Sequence, residues 1–129
     1  MDFHNSVVLI TGGASGIGEA TTRYFVSLGA YVVVADQDTE RGQKLAEEYR
    51  GKIDFYQADV GSEDQVKSLF DFIRQKHGVL DVLHNNAAYS LSKTLWDTTA
   101  EEWDKVMYVN LRGYFLCAKY ALDLLKKSR

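Results

Sequence analysis

Four short, strongly apolar runs recur along the chain, each followed by residues at helical spacing, and this alternation limits the fold more than any other feature. The first run, Ser6-Val7-Val8-Leu9-Ile10-Thr11, is apolar almost throughout, the pattern of a strand covered on both faces. Tyr31 to Ala35 (ending in Asp36), Ile53 to Gln57 and Val79 to His84 read as further strands. Ile17, Ala20, Tyr24, Phe25 and Leu28 fall at helical spacing, with Gly29 as the stop. A polar helix is expected from Asp38, its N-cap, to Tyr49. Ser62 and Gln65 form a capping box ahead of Val66, Leu69, Phe70 and Ile73, and Gly78 ends that helix. Thr99 and Glu102 form a second box, opening a long helix through Trp103, Leu111, Phe115 and Leu122 to Leu125. Strands alternating with helices of this length imply parallel βαβ units, hence an α/β fold with helices on both faces of one sheet.

With 129 residues, 46% of them apolar, the chain is long enough for one domain, residues 1–129, with a core of its own. A net charge of −3 offers no basic footprint for nucleic acid or an anionic membrane. No apolar run is long enough for a signal peptide or a membrane span. Cys117 is the sole cysteine, which excludes an internal disulfide and a cysteine cage for zinc. The expectation is a cytoplasmic protein without a metal.

Chemistry enters at Thr11-Gly12-Gly13-Ala14-Ser15-Gly16-Ile17-Gly18, between the first strand and the first helix. Glycine is required where a chain turns sharply or where backbone must approach a ligand. The helix start offers free N–H groups and the positive end of its dipole, which suit a pyrophosphate. Gly12, Ser15, Gly16, Ile17 and Gly18 are therefore candidate cofactor contacts; a tight turn without a ligand is the plainer alternative. Asp36, at the end of the second strand, stands where a carboxylate can bind both hydroxyls of an adenosine ribose. It would repel the 2′-phosphate of NADP, and neither Ser15 nor Gln37 supplies an offsetting charge, so NAD is expected over NADP. A capping or loop aspartate is the alternative there.

Across essentially its whole length the sequence resembles the short-chain dehydrogenase/reductase family. The resemblance rests on the glycine turn, Asp59-Val60 after the third strand, Asn85-Asn86-Ala87-Ala88 after the fourth, and Asn110 in the long helix, all in the family's order. It implies a Rossmann-type sheet with strand order 3-2-1-4. It places Asp59 and Val60 against the adenine, and Asn86 and Ala87 beside the adenosine and its ribose. Ala88 stands where the family usually has glycine. Asn85 reads equally as a sheet-stabilising turn residue. Asn110 would be the catalytic group, at a helix irregularity that Gly113 favours; a partly exposed amide without catalytic duty is the alternative.

The resemblance also implies a serine and a Tyr-x-x-x-Lys pair beyond the long helix, and the 129 residues contain neither in that position. Tyr89-Ser90-Leu91-Ser92-Lys93 matches the pair in letters, but it follows the Asn-Asn-Ala-Ala turn directly, in a loop. The chain is thus expected to be the NAD-binding front portion of an oxidoreductase that exchanges hydride with an alcohol or carbonyl. A nucleotide-binding module without turnover, or an interaction fragment needing a partner chain, are the other readings. A homo-oligomer through the long helix or an exposed fourth strand is expected.

Overall fold

The computed structural model describes residues 2–128. Its elements run β1 (Val7–Thr11), α1 (Gly16–Ser27), β2 (Tyr31–Asp36), α2 (Thr39–Glu48), β3 (Ile53–Gln57), α3 (Glu63–Lys76), β4 (Val82–His84), α4 (Ala100–Met107), a π-helical turn (Tyr108–Arg112) and α5 (Gly113–Leu125). The strands form one parallel sheet in the order β3-β2-β1-β4. The expected three-layer α/β architecture is present. β1 pairs Val7 with Tyr31 through Thr11 with Ala35 on one side, and Val8 with Val82 through Ile10 with His84 on the other.

Alternation along β1 explains the layers, because successive side chains point to opposite faces. Val8 and Ile10 join Val32, Val34, Leu45 and Ile53 in a core beneath α1 and α2. Leu9 joins Val33, Val66, Leu69, Ile73, Leu116 and Leu124 in a second core beneath α3 and α5. All five β1 residues are buried, so shortening any of its large side chains removes packing on a fully covered strand. Leu9→Ala would cost about 2–5 kcal/mol.

Three differences from the sequence reading have physical causes. β4 is three residues long, because Val79 and Leu80 are drawn to α5 before the chain reaches β1: Leu80 N–H donates to the Leu124 carbonyl at 3.3 Å. Asp81 then makes the join, its N–H donating to Val7 O and its carboxylate accepting from Val7 N–H at 2.7 Å. In α1 the inward face is Gly18 and Thr22, while Ile17 and Tyr24 point outward. Close approach to the glycine turn selects small residues there, and Thr22 Oγ1 donates to the Gly13 carbonyl at 3.1 Å. The long helix is interrupted by the π turn, at the irregularity expected around Asn110, so the third difference lies in its capping and that of α3. Its Thr99–Glu102 capping box is complete, whereas Gln65 caps Asp59 N–H instead of closing the box with Ser62. Among the described residues no helix is long and apolar enough to cross a membrane.

Candidate functional site

A cleft of about 460 Å³ opens at the C-terminal ends of the strands, where parallel α/β sheets place their ligands. Its first wall is the glycine turn. Gly12, at φ +65°, anchors the turn to the sheet by donating to the Ala35 carbonyl at 2.7 Å. Gly18 sits so close beneath it that a Cβ there would collide with the Gly12 carbonyl oxygen. Gly16, at φ +55°, has the left-handed backbone that glycine tolerates but faces open space. The Ser15 hydroxyl makes no capping bond, and the first helical bond is Glu19 N–H to Ser15 O. The N–H groups at the start of α1 therefore have no intrahelical acceptor and remain available to an anion.

Asp36 forms the second wall. Its Oδ2 accepts from Ala14 N–H and its Oδ1 from Asp38 N–H, each at 3.0 Å. The carboxylate thus holds the glycine turn to the end of β2, and each oxygen keeps capacity for a further donor. Gln37, beside it in the lining, brings no charge.

The third wall is tied to the first through Thr11. Its buried Oγ1 accepts from both Asn86 N–H and Ala87 N–H at 3.0 Å. The Asn86 amide donates to the Thr11 and Gly12 carbonyls at 3.1 and 3.2 Å. Asn86 therefore spends its side chain on the fold, while Ala87 and Ala88 present backbone to the cleft. Thr11 holds two walls of the cleft together, a part that its sequence context did not single out. Asn85 donates a long bond to the Tyr114 carbonyl at 3.5 Å and does not line the cleft.

Gly12, Ser15, Ile17, Gly18, Asp36, Val60, Asn86 and Ala87 thus come together around one space. Gly16, Asp59 and Asn110 do not line it. The Asp59 carboxylate accepts from Gly61 N–H at 3.0 Å and from the Tyr108 hydroxyl at 3.2 Å. Burial, and then the Asp59 charge, push the Tyr108 hydroxyl above its ordinary value. Asn110 lies inside the π turn, and both ends of its amide are engaged by one residue: Oδ1 accepts from Tyr89 N–H at 2.7 Å and Nδ2 donates to Tyr89 O at 2.8 Å. The π turn inserts an extra residue into the helix, a feature frequent at functional sites. Tyr89, which the spacing flagged only as half of a decoy pair, and Lys105, which it did not flag, complete the lining near Val109. The Tyr89-x-x-x-Lys93 decoy is in the loop as expected, with Lys93 paired to Glu102 at 2.6 Å.

Comparison with known proteins follows the same lines. The short chain dehydrogenase family profile matches residues 6–129. A (+)-cis,cis-nepetalactol synthase of Nepeta racemosa is 45% identical over 119 residues, covering 89% of this chain and 44% of that protein. A 3-oxoacyl-[acyl-carrier-protein] reductase of Thermotoga maritima is 39% identical over 132 residues, covering 100% of this chain and 54% of that protein. The ligand-free aldohexose dehydrogenase of Thermoplasma acidophilum superposes with a TM-score of 0.87 at 32% identity, over 99% of this chain and 47% of that one. The chain spans about half the length of these relatives.

Proposed function

The chain belongs to the short-chain dehydrogenase family, and from that premise we propose that its cleft binds NAD in preference to NADP. The observation that carries this is the glycine turn facing Asp36, with the first N–H groups of α1 and the Ser15 hydroxyl uncommitted. In this reading Ser15, Gly16, Ile17 and Gly18 receive the pyrophosphate through backbone and hydroxyl donors, while Gly12, its own N–H held by the Ala35 carbonyl, lets the phosphates approach the backbone closely. Asp36 accepts from the two ribose hydroxyls. Val60 packs on the adenine and the backbone of Asn86 and Ala87 passes beside the ribose; Asp59, outside the cleft lining with its carboxylate on Gly61 and Tyr108, accepts at the adenine edge only by turning from those partners. Bound there, the nicotinamide supplies a hydride acceptor or donor for an alcohol or carbonyl substrate of the whole protein. Asn110 contributes by clamping Tyr89, which makes it a positioning residue at the far wall. Residues 1–129 are read as the dinucleotide-binding domain.

Titration of the purified chain with NADH and with NADPH tests this, read through Trp96 and Trp103 quenching and sensitised cofactor emission. NADH should saturate more tightly than NADPH. Asp36→Ala should weaken NADH by about tenfold or more, since a paired charged acceptor is lost, and should narrow the gap to NADPH. Saturation by neither cofactor would overturn the reading, and equal affinities would overturn the NAD preference alone.

α4, the π turn and α5 expose Trp103, Leu111, Phe115 and Leu122, and Leu111 and Phe115 line an apolar groove with Met107 and Tyr108. A second copy of the chain is the occupant this reading gives it, and light scattering that finds a monomer at all concentrations would exclude that.

A further inference from the structure

Beyond the residues assigned so far, the cleft has one cation in its lining. Among the described residues that surround it, Lys105 is the single Lys or Arg, and Asp36 the single acid. Lys105 stands on α4, one helical turn before Val109, which shares the same wall. Its ammonium sits 4.2 Å from the centroid of the Tyr89 ring. Among the described residues it forms no ion pair: the neighbouring Glu102 is engaged by Lys93. An unpaired ammonium resting on an aromatic face keeps its charge and donors for a ligand, while the ring holds its direction.

That direction is itself built. The two bonds between the Asn110 amide and the Tyr89 backbone fix the residue that carries the ring. A continuous set of contacts therefore runs from the π turn through Asn110 and Tyr89 to the Lys105 ammonium. The same cleft presents the start of α1, whose N–H groups attract an anion but carry no full positive charge. Arg41 and Lys44 do not line the cleft; they line a neighbouring groove that shares Ser15 with it and also holds the acids Glu19 and Glu48. A pyrophosphate in the cleft would bring two negative charges to a space whose only fixed acid, Asp36, is at its adenosine end.

We infer that Lys105, steered by Tyr89, is a second phosphate-binding group that meets the pyrophosphate from the wall opposite the glycine turn. The inference rests on the dinucleotide reading above and deepens it. As a point charge at the cleft mouth, Lys105 adds affinity in a salt-dependent way and leaves recognition of the adenosine untouched.

The test compares adenosine, ADP and NADH as titrants of the unaltered chain, Lys105→Met, Lys105→Arg and Tyr89→Leu. Lys126→Met, at the far end of α5, controls for net charge. Lys105→Met should weaken ADP and NADH equally, by about three- to fivefold at low salt, with adenosine unchanged. Lys105→Arg should retain binding, and Tyr89→Leu should give a smaller loss of the same kind. The loss should shrink as salt is raised, and Lys126→Met should show none of it. Unchanged ADP affinity in Lys105→Met overturns the assignment, as does equal weakening of adenosine, or a loss confined to NADH. Failure of the unaltered chain to bind ADP or NADH overturns the cofactor reading, and this inference with it.

Discussion

Two stretches of irregular backbone border the cleft, and they are held in opposite ways. Residues 11–18 are fixed from inside the molecule: Thr11 Oγ1 and carbonyl accept from Asn86, just after β4, and the Asp36 carboxylate at the end of β2 accepts from Ala14 N–H. Residues 88–99 are held mainly at their two ends. At one end Asn110 clamps Tyr89; at the other the Thr99–Glu102 box and Lys93 secure the approach to α4. Between those anchors Leu95 is 80% and Trp96 91% exposed. The difference teaches that the end of the cleft next to Asp36 is preorganised by the sheet, whereas the Tyr89 end depends on a few discrete contacts. Binding of the adenosine half should therefore survive changes that loosen the loop.

The largest effect that could break this comparison comes from two neighbouring glycines. In Gly18→Ala the new methyl would collide with the Gly12 carbonyl and lie 2.6 Å from Asn86 Nδ2. Neither atom can retreat without loosening Thr11 or Ala87, so a cost of about 1–3 kcal/mol and loss of NADH binding are expected. In Gly16→Ala the methyl meets nothing within 4 Å, and the only cost is the left-handed backbone at φ +55°. That cost is about 1 kcal/mol. Thermal unfolding and NADH titration of both variants decide it. Should Gly18→Ala prove no worse than Gly16→Ala, the turn is not fixed from inside.

What the sequence made legible follows the same division. β1 and β2 were readable because both faces are buried and the runs are apolar throughout. That the glycine turn, Asp36 and Asn86 lie around one cleft was readable, the first two from local spacing and position at a strand end and Asn86 from the family resemblance. The Thr99–Glu102 box was readable because it closes within one turn. The inward face of α1 was not, since close approach selects the small Gly18 and Thr22 while hydrophobicity points to Ile17 and Tyr24. Nor was the length of β4, because an apolar Val79 and Leu80 do not reveal whether a strand or a helix covers them. Thr11, Lys105 and the place of Tyr89 in the cleft wall stayed hidden for a related reason. Each acquires its role from a partner distant in sequence: Thr11 from Asn86 and Ala87, Tyr89 from Asn110, Lys105 from Tyr89.

A smaller effect sharpens the comparison at the loop. Asn110→Leu removes both bonds to the Tyr89 backbone and leaves that part-buried N–H and C=O to find other partners. A loss of about 1–2 kcal/mol is expected, with its consequences confined to residues 88–99. Hydrogen exchange should show faster amides in that loop while β1 amides keep their protection. Adenosine affinity should stay unchanged. Equal loss of protection in β1 and the loop would mean that the two regions unfold as one unit, and the proposed division would fail.

The smallest effect concerns the other anchor of the loop and appears only in acid. The Lys93 ammonium, and then the Thr99 backbone N–H, hold the Glu102 carboxyl below its usual value of 4.5. A folded-state value lowered in this way stabilises the fold at pH above the unfolded value. That stability is lost as pH falls through the unfolded value toward the folded one. Lys93 is exposed and Glu102 only half-buried at the surface, so screening keeps the effect slight and sensitive to salt. Lys93→Ala should lower the melting temperature a little at neutral pH and make the decline between about pH 5.5 and 3.5 shallower, with the two curves converging at lower pH. The β1 amides should not respond, because the pair secures the loop and not the sheet. Parallel melting curves through the acid range would show that Lys93 contributes nothing to Glu102. The far wall would then hang on Asn110 and the Thr99 cap alone.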